Sequence, residues 1–451
     1  MKQVKRRTWF CLLFTLILLL GLGIFLGRYL THGADWASFP ANKHLYDKSG
    51  HLASGAILDR NGNLLYDAGT NTYSDDSTVR KATLHAVGDK QGNIATGAVS
   101  AFRDHLGGFN PIFGTTLGGH DLYLTIDESL NSAAYSAMNG RKGTVGVYNY
   151  KTGEVLCMVS LPAFDPANPP QNIDGDSRYD GVYLNRFLSG VYPPGSTFKV
   201  VTAAAALEQL PDLKTRSFHC DGKTTVGGQT ITCPKKHGDM TFADALARSC
   251  NGVFAALAAE LGSDTMEKYA REAGLLDSQS VSGLTTAKGS YTKTEDTGNL
   301  GWSGVGQFED MVNPCAMMTY MGTIANRGTR VTPRLLHKET TAAGLPTSLP
   351  HTEKDRGVMK EATCEELATM LRSNVTETYG QKQFGDLPVC AKSGTAEVGG
   401  GKRPHAWFTG FVDDEDLPLA FVVVVENGGS GAAAAGGVAA KVLAAAAVGD
   451  A

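Results

Sequence analysis

Hydrophobic and polar positions change their spacing several times along the chain, and each change marks an element. Trp9 to Leu26 (WFCLLFTLILLLGLGIFL) runs eighteen residues with Thr15 as its one clearly polar member. With Gly27 that stretch spans a bilayer core of roughly 30 Å. From residue 31 to about 118 the chain is polar and Gly-containing, with short strand-like runs such as ASGAILDRNGNLLYDA. The DRNG there is a turn signal between two apolar runs. From His120 the pattern changes: DLYLTID predicts a strand, ESLNSAAYSAM a helix, and GTVGVYNYKTGEVLCMVSL a hairpin around NYKTGE. VVTAAAALEQL is apolar nearly all round, which predicts a buried helix. Helical spacing recurs in TFADALARSCNGVFAALAAELG and MTYMGTIANRG. AWFTGFV and LAFVVVVEN are β-branched and aromatic, so they predict two late strands, and GVAAKVLAAAAV predicts a closing helix. Strands early, helices between and strands late imply one sheet assembled from both ends of this region, with helices on its faces. The class is α/β, of the α+β kind.

The length of 451 residues allows two or three domains with sizeable cores. The expected division is 1–30 cytoplasmic tip and transmembrane anchor, 31–118 small membrane-proximal domain, and 119–451 main domain. A net charge of −4, 42% hydrophobic and 19% charged residues suit an ordinary globular protein, and no sustained basic patch points to nucleic acid. Lys2, Lys5, Arg6 and Arg7 precede the apolar run, which keeps the N-terminus in the cytoplasm and places the rest outside as a single-pass protein. A cleaved signal peptide is the rival. The long apolar run, the closing Arg28 and the lack of an A-x-A site favour an uncleaved anchor.

Eight cysteines leave seven outside the membrane run once Cys11 is set aside, so at least one is free unless chains pair. Cys220 and Cys233 flank CDGKTTVGGQTITC, read as a hairpin turning at Gly227-Gly228, and are the favoured disulfide. Free thiols are the alternative in an organism living without oxygen. No C-x-x-C pair or His cluster has metal-ligand spacing, so no metal is expected.

The chemistry starts at Tyr192 to Val200, YPPGSTFKV. Two prolines and Gly195 end one element and let a helix begin near Ser196, with Lys199 one turn on and on the same face. A desolvated lysine loses its proton near neutral pH, and a neutral amine beside a hydroxyl is a general base beside a nucleophile. An isolated S-x-x-K is more often an N-cap serine with an exposed lysine, so context must decide. S-x-x-K occurs at Ser196–Lys199 and Ser290–Lys293, S-x-N at Ser129–Asn131 and Ser249–Asn251, and K-[ST]-G at Lys151–Gly153 and Lys392–Gly394. Lys151 falls in a hairpin turn, Ser290 in the polar GSYTKTED, and Ser129 at an exposed helix start. Ser196 instead begins an apolar helix, and Ser249-Cys250-Asn251 breaks two helical runs. Lys392 follows the apolar LPVCA and precedes a Gly-rich stretch, as an edge strand beside a cleft should.

With these three motifs in order, the chain resembles the penicillin-binding proteins, specifically the monofunctional class B transpeptidases in a compact form. NRFLSGVYPPGSTFK, SCNGVF, GVGQFEDMVNP, IANRG, AKSGTAE and HAWFTGF are similar to family segments, as are ILDRNG, LTIDESLN and LPAFDPANP. The match runs from about residue 55 to the C-terminus and is densest from 143 to 430. Cys250 stands in the middle of S-x-N, a position the family tolerates. No glycosyltransferase region separates the anchor from His120, so a bifunctional protein is not expected.

The resemblance implies the fold shared with serine β-lactamases, a central antiparallel sheet with helices on both faces, and acyl transfer through Ser196. Ser196 attacks the carbonyl between two D-alanines of a peptidoglycan stem peptide, and Lys199 takes its proton. Ser249 relays a proton to the leaving D-alanine. Asn251 holds Lys199 and the substrate amide. Lys392 adds charge that keeps Lys199 neutral and attracts the terminal carboxylate, which Ser393 and Thr395 bind. Backbone N–H groups of Ser196 and Thr395 form the oxyanion hole, and Gly394 leaves room for the substrate strand. An amine from a neighbouring stem completes the cross-link, and β-lactam antibiotics leave Ser196 acylated. No metal or organic cofactor is needed, and a polytopic membrane glycan polymerase is the expected partner. Gln307 and Asn326 are read as structural, and His405 and Trp407 as the lead into a core strand, with a cleft-wall role as the lesser alternative. The rivals are a D,D-carboxypeptidase, a β-lactamase or β-lactam sensor on the same fold, and a scaffold for the polymerase.

Overall fold

The apolar N-terminal run forms one helix, Lys2–Ala37, and its large side chains from Trp9 to Leu26 stand exposed. Such a surface is stable only in an apolar solvent, and the helix is long and apolar enough to cross a membrane. The computed structural model describes residues 2–37, 39, 55–110, 112, 114–115, 119–341, 343–348 and 351–449.

Five strands form the central sheet in the order Val389–Ala396, His405–Val412, Leu419–Val425, Gly143–Asn149 and Val155–Leu161, every neighbour antiparallel. Its strands read as continuous apolar runs because both faces are covered. In LAFVVVV the side chains alternate: Ala420, Val422 and Val424 enter one core, while Leu419, Phe421, Val423 and Val425 enter the other. Helices Glu128–Met138 and Gly436–Val448 cover the second face. Helices Lys199–Gln209, Pro314–Ala325 and Glu361–Ser373 lie in the first core. The N-terminus of Glu128–Met138 is capped by Asp127, whose carboxylate accepts from the Leu130 N–H.

A second sheet of six strands runs in the order Pro346–Ser348, Leu336–Thr341, His120–Leu124, Ala56–Leu58, Leu64–Asp67 and Thr72–Tyr73. The predicted DRNG turn is there: Asp59 accepts from the N–H groups of Asn61 and Asn63, each at 2.9 Å. Strand His120–Leu124 pairs parallel with Ala56–Leu58 and antiparallel with Leu336–Thr341. The membrane-proximal residues therefore share a ladder and a core with residues beyond 119, and the expected edge at residue 118 lies outside the described residues. Glu339 bonds both His105 and His120, tying the same pieces together.

Candidate active site

Gly195 has φ +54, and a Cβ there would lie 2.8 Å from the Thr395 carbonyl oxygen, so glycine is required where the loop meets the sheet edge. The turn Gly195–Thr197 is a single tight 3₁₀ turn, closed by the Thr197 hydroxyl donating to the Pro194 carbonyl at 2.8 Å. Ser196 sits on this turn and the helix proper starts at Lys199, three residues later than the sequence suggests. Trp407 braces the loop from behind: it is fully buried and its indole N–H donates to the Pro193 carbonyl at 3.1 Å. That buried position is the structural one and not the cleft-wall alternative. His405, at the start of the same strand, accepts the Asn427 N–H at 3.0 Å.

Lys199 is completely buried, and its ammonium donates to the Ser249 carbonyl (2.8 Å), the Ser249 hydroxyl (3.1 Å) and Asn251 Oδ1 (2.6 Å). Ser249 lies at φ +52, a left-handed conformation that a non-glycine residue adopts only when its surroundings enforce it. It occupies the break between helices Phe242–Ala247 and Asn251–Leu261. Lys392, equally buried on strand Val389–Ala396, donates to the Ser249 hydroxyl at 3.0 Å and to the Ser393 carbonyl at 3.0 Å. The Ser249 hydroxyl thus sits between two amines. Burial lowers both lysines: Lys392 falls to about 7, and Lys199 falls well below its ordinary value through burial first and the Lys392 charge second.

Ser393 offers its N–H and its hydroxyl to the Tyr379 hydroxyl, both at 3.0 Å. Gln307 clamps the same strand edge, donating to the Thr395 carbonyl at 2.8 Å and accepting the Glu397 N–H at 3.2 Å. At Gly394 a Cβ would meet Pro194 O at 2.9 Å and Thr197 Cγ2 at 3.0 Å, so the neighbour that excludes a side chain is the Pro194–Thr197 loop. Ser196, Ser249, Asn251, Gln307, Ser393 and Thr395 line one cleft of about 420 Å³.

Comparisons with known proteins identify the family. Residues 143–447 match the penicillin binding protein transpeptidase domain. The chain belongs to the class B penicillin-binding protein family. It is 29% identical over 333 residues to the peptidoglycan D,D-transpeptidase PbpA of Mycolicibacterium smegmatis, covering 68% of this chain and 67% of that protein. It is 29% identical over 365 residues to stage V sporulation protein D of Bacillus subtilis, covering 77% and 53%. Among solved structures, the imipenem acyl-enzyme of penicillin-binding protein A from M. tuberculosis superposes with a TM-score of 0.77 at 25% identity, covering 87% of this chain and 98% of that one. A chain from a peptidoglycan synthase complex coordinating polymerization and crosslinking superposes at 0.63 and 27% identity, covering 73% and 63%.

The rejected copies of the three motifs lie apart from this penicillin-binding protein's cleft. Lys151 is exposed in its turn and donates to Asn326 at 2.9 Å, Ser129 is exposed at a helix start, and Lys293 pairs with Asp264 and Glu267. The disulfide expected between Cys220 and Cys233 is corrected: all eight cysteines are free thiols. Lys223, not Cys220, faces the last residue of the 229–232 strand, while Cys220 pairs with Gly238 in a separate ladder. Cys233 points instead to Cys250, sulfur to sulfur 3.8 Å. Tyr379 was not singled out from the sequence, and no spacing within NVTETY points to it.

Proposed function

We propose that this chain is a membrane-anchored peptidoglycan D,D-transpeptidase that works through a Ser196 acyl-enzyme and is acylated there by β-lactams. The observation that carries the reading is the pair of buried lysines meeting at the Ser249 hydroxyl beside Ser196, with no carboxylate bound to either amine among the described residues. A buried amine without a counter-anion is cheapest when neutral, which is the form a base needs.

Lys199 takes the Ser196 proton as the hydroxyl attacks the carbonyl between two D-alanines. The oxyanion is met by the N–H groups of Ser196 and Thr395, each donor contributing about 3 kcal/mol to the barrier reduction. The Ser249 hydroxyl, held by both amines, passes the proton to the departing D-alanine nitrogen. Lys392, Ser393 and Thr395 receive the terminal carboxylate, and Asn251 orients Lys199 while its own amide is anchored on Thr232 O at 2.7 Å. An amine of a second stem peptide then attacks the ester, Ser196 recovers its proton, and the cross-link is complete. The four cations Lys2, Lys5, Arg6 and Arg7, at the start of the Lys2–Ala37 helix and ahead of its apolar run, support a cleft outside the cytoplasm. There it works beside a membrane glycan polymerase, a partnership supported by the likeness to a chain of a synthase complex.

The test is acylation of the full chain in detergent by a fluorescent penicillin. Stable labelling is expected in the native chain and in Ser290→Ala, with none in Ser196→Ala. Label retained in Ser196→Ala, or released within seconds by the native chain, overturns the reading.

A further inference from the structure

Against the wall of the cleft, four side chains of soft-metal character converge: Cys220, Cys233, His237 and Cys250, whose ligand atoms all lie within 4.8 Å of one another. Cys220 and Cys250 are buried, and His237 is 8% exposed with its Nδ1 buried and without a hydrogen-bond partner. The Cys233–Cys250 sulfur distance is 3.8 Å. A disulfide needs about 2.0 Å. Two thiolates sharing a tetrahedral ion, each about 2.3 Å from it, sit about 3.8 Å apart. Backbone N–H groups also turn toward the sulfurs: Gly222 donates to Cys220 at 3.4 Å, and Asn251 and Gly252 face Cys233. Such donors stabilise thiolates and orient them, as outer-shell groups do around metal sites.

We infer that Cys220, Cys233, His237 and Cys250 bind a tetrahedral divalent ion of the zinc type, three thiolates and one imidazole, which pins the Ser249-Cys250-Asn251 turn in its catalytic conformation. The three thiol protons pass to solvent on binding, and the filled site carries one net negative charge. The donor set is closed, with four protein ligands and no place for water, so the ion is structural. Its position gives it a purpose. Cys220 ends strand Phe218–Cys220, Cys233 follows strand Gln229–Thr232, and Cys250 precedes helix Asn251–Leu261. One ion therefore ties two separate ladders to the segment that carries Ser249 and Asn251. The same segment is also held by Asn251 donating to Thr232 O, one residue before Cys233. Ser249 holds a left-handed backbone immediately before both ties, with Cys250 as its next neighbour. Metal binding stands independently of the transpeptidase reading, whereas its effect on acylation rests on that reading.

The full chain, purified in detergent under reductant and without chelator, is expected to carry close to one zinc per chain by elemental analysis. Ser196→Ala keeps the metal, so an error in assigning the nucleophile does not affect this readout. Cys220→Ser and His237→Ala lose it. Because a variant can fail to fold, the native chain is also stripped and exchanged with Co²⁺, which is expected to give tetrahedral ligand-field bands and thiolate-to-cobalt charge transfer. Stripping is expected to slow penicillin acylation by about 10²-fold, restored by Zn²⁺, as for a displaced catalytic group. A native chain that carries no metal and takes up no cobalt overturns the site. A site that fills while acylation stays unchanged on stripping overturns its role in pinning the turn.

Discussion

Ser196–Lys199 and Ser290–Lys293 are the same four-residue pattern in two surroundings. Lys199 is buried, donates to one carbonyl, one hydroxyl and one amide oxygen, and has a second lysine nearby. Lys293 is 55% exposed and lies 2.9 Å from Asp264 and 2.8 Å from Glu267. The first environment pushes the amine toward neutrality, and the second holds it charged by raising its proton affinity. The difference teaches that spacing supplies a hydroxyl and an amine one turn apart, while burial without a carboxylate supplies the base. A surface lysine with two carboxylates cannot take a proton near neutral pH.

The largest effect tests the contrast directly. Lys199→Met is expected to slow acylation by about 10²–10⁴-fold, the usual worth of a positioned base, and Lys293→Met to leave it unchanged. Stopped-flow labelling with fluorescent penicillin measures both, and equal losses would erase the distinction.

Lys392→Met sharpens it next, because Lys392 is the charge that helps depress Lys199. Without it the Lys199 proton affinity rises, so the acid limb of the acylation-rate profile is expected to move to higher pH. Stability should respond in the opposite sense. Lys392 falls from 10.5 to about 7 on folding, so the unfolded chain binds more protons between those values. The resulting cost is fully present below pH 7 and disappears as pH approaches 10.5. At about 1.4 kcal/mol per unit, it amounts to several kcal/mol. Lys392→Met is therefore expected to raise the melting temperature, most below pH 7, while acylation falls. A variant that melts lower at every pH would show that the ammonium's bonds to Ser249 and Ser393 outweigh its burial.

Legibility followed the range of the interactions. The apolar run LAFVVVV, the hairpin 143–161 and the helix break at Ser249 were plain in the sequence because local pattern and tertiary role agree there. Ser196, Lys199, Ser249, Asn251, Lys392, Ser393 and Thr395 were found through ordered motifs, and the fold brings them to one place. The six-stranded sheet was not legible as one unit, since Ala56–Leu58 and Leu336–Thr341 are short and almost 300 residues apart. The Cys220–Cys233 pairing failed because Cys220 lies outside the 223–232 hairpin and the Cys233 sulfur faces Cys250. The thiol and imidazole cluster escaped because its ligands flank four different elements, at none of the spacings that mark a zinc loop.

Tyr379 belongs to that second group, and it carries the smallest effect that still separates the two S-x-x-K surroundings. Its hydroxyl accepts from both the N–H and the hydroxyl of Ser393, so it fixes the Ser393 rotamer without bonding to either lysine. Its ring also packs edge-on against Phe408 at 5.3 Å, so Tyr379→Phe keeps the packing and removes only the hydroxyl. A single neutral hydrogen-bond acceptor is worth about 1 kcal/mol, which is roughly a fivefold change. That change is expected in the apparent affinity for penicillin, because Ser393 is the proposed contact to the carboxylate, with the limiting acylation rate and its pH limb unmoved. A shift in the pH limb would mean that Tyr379 acts on the lysine pair through Lys392. In that case the electrostatic contrast between Lys199 and Lys293 would depend on a hydroxyl network as well as on burial.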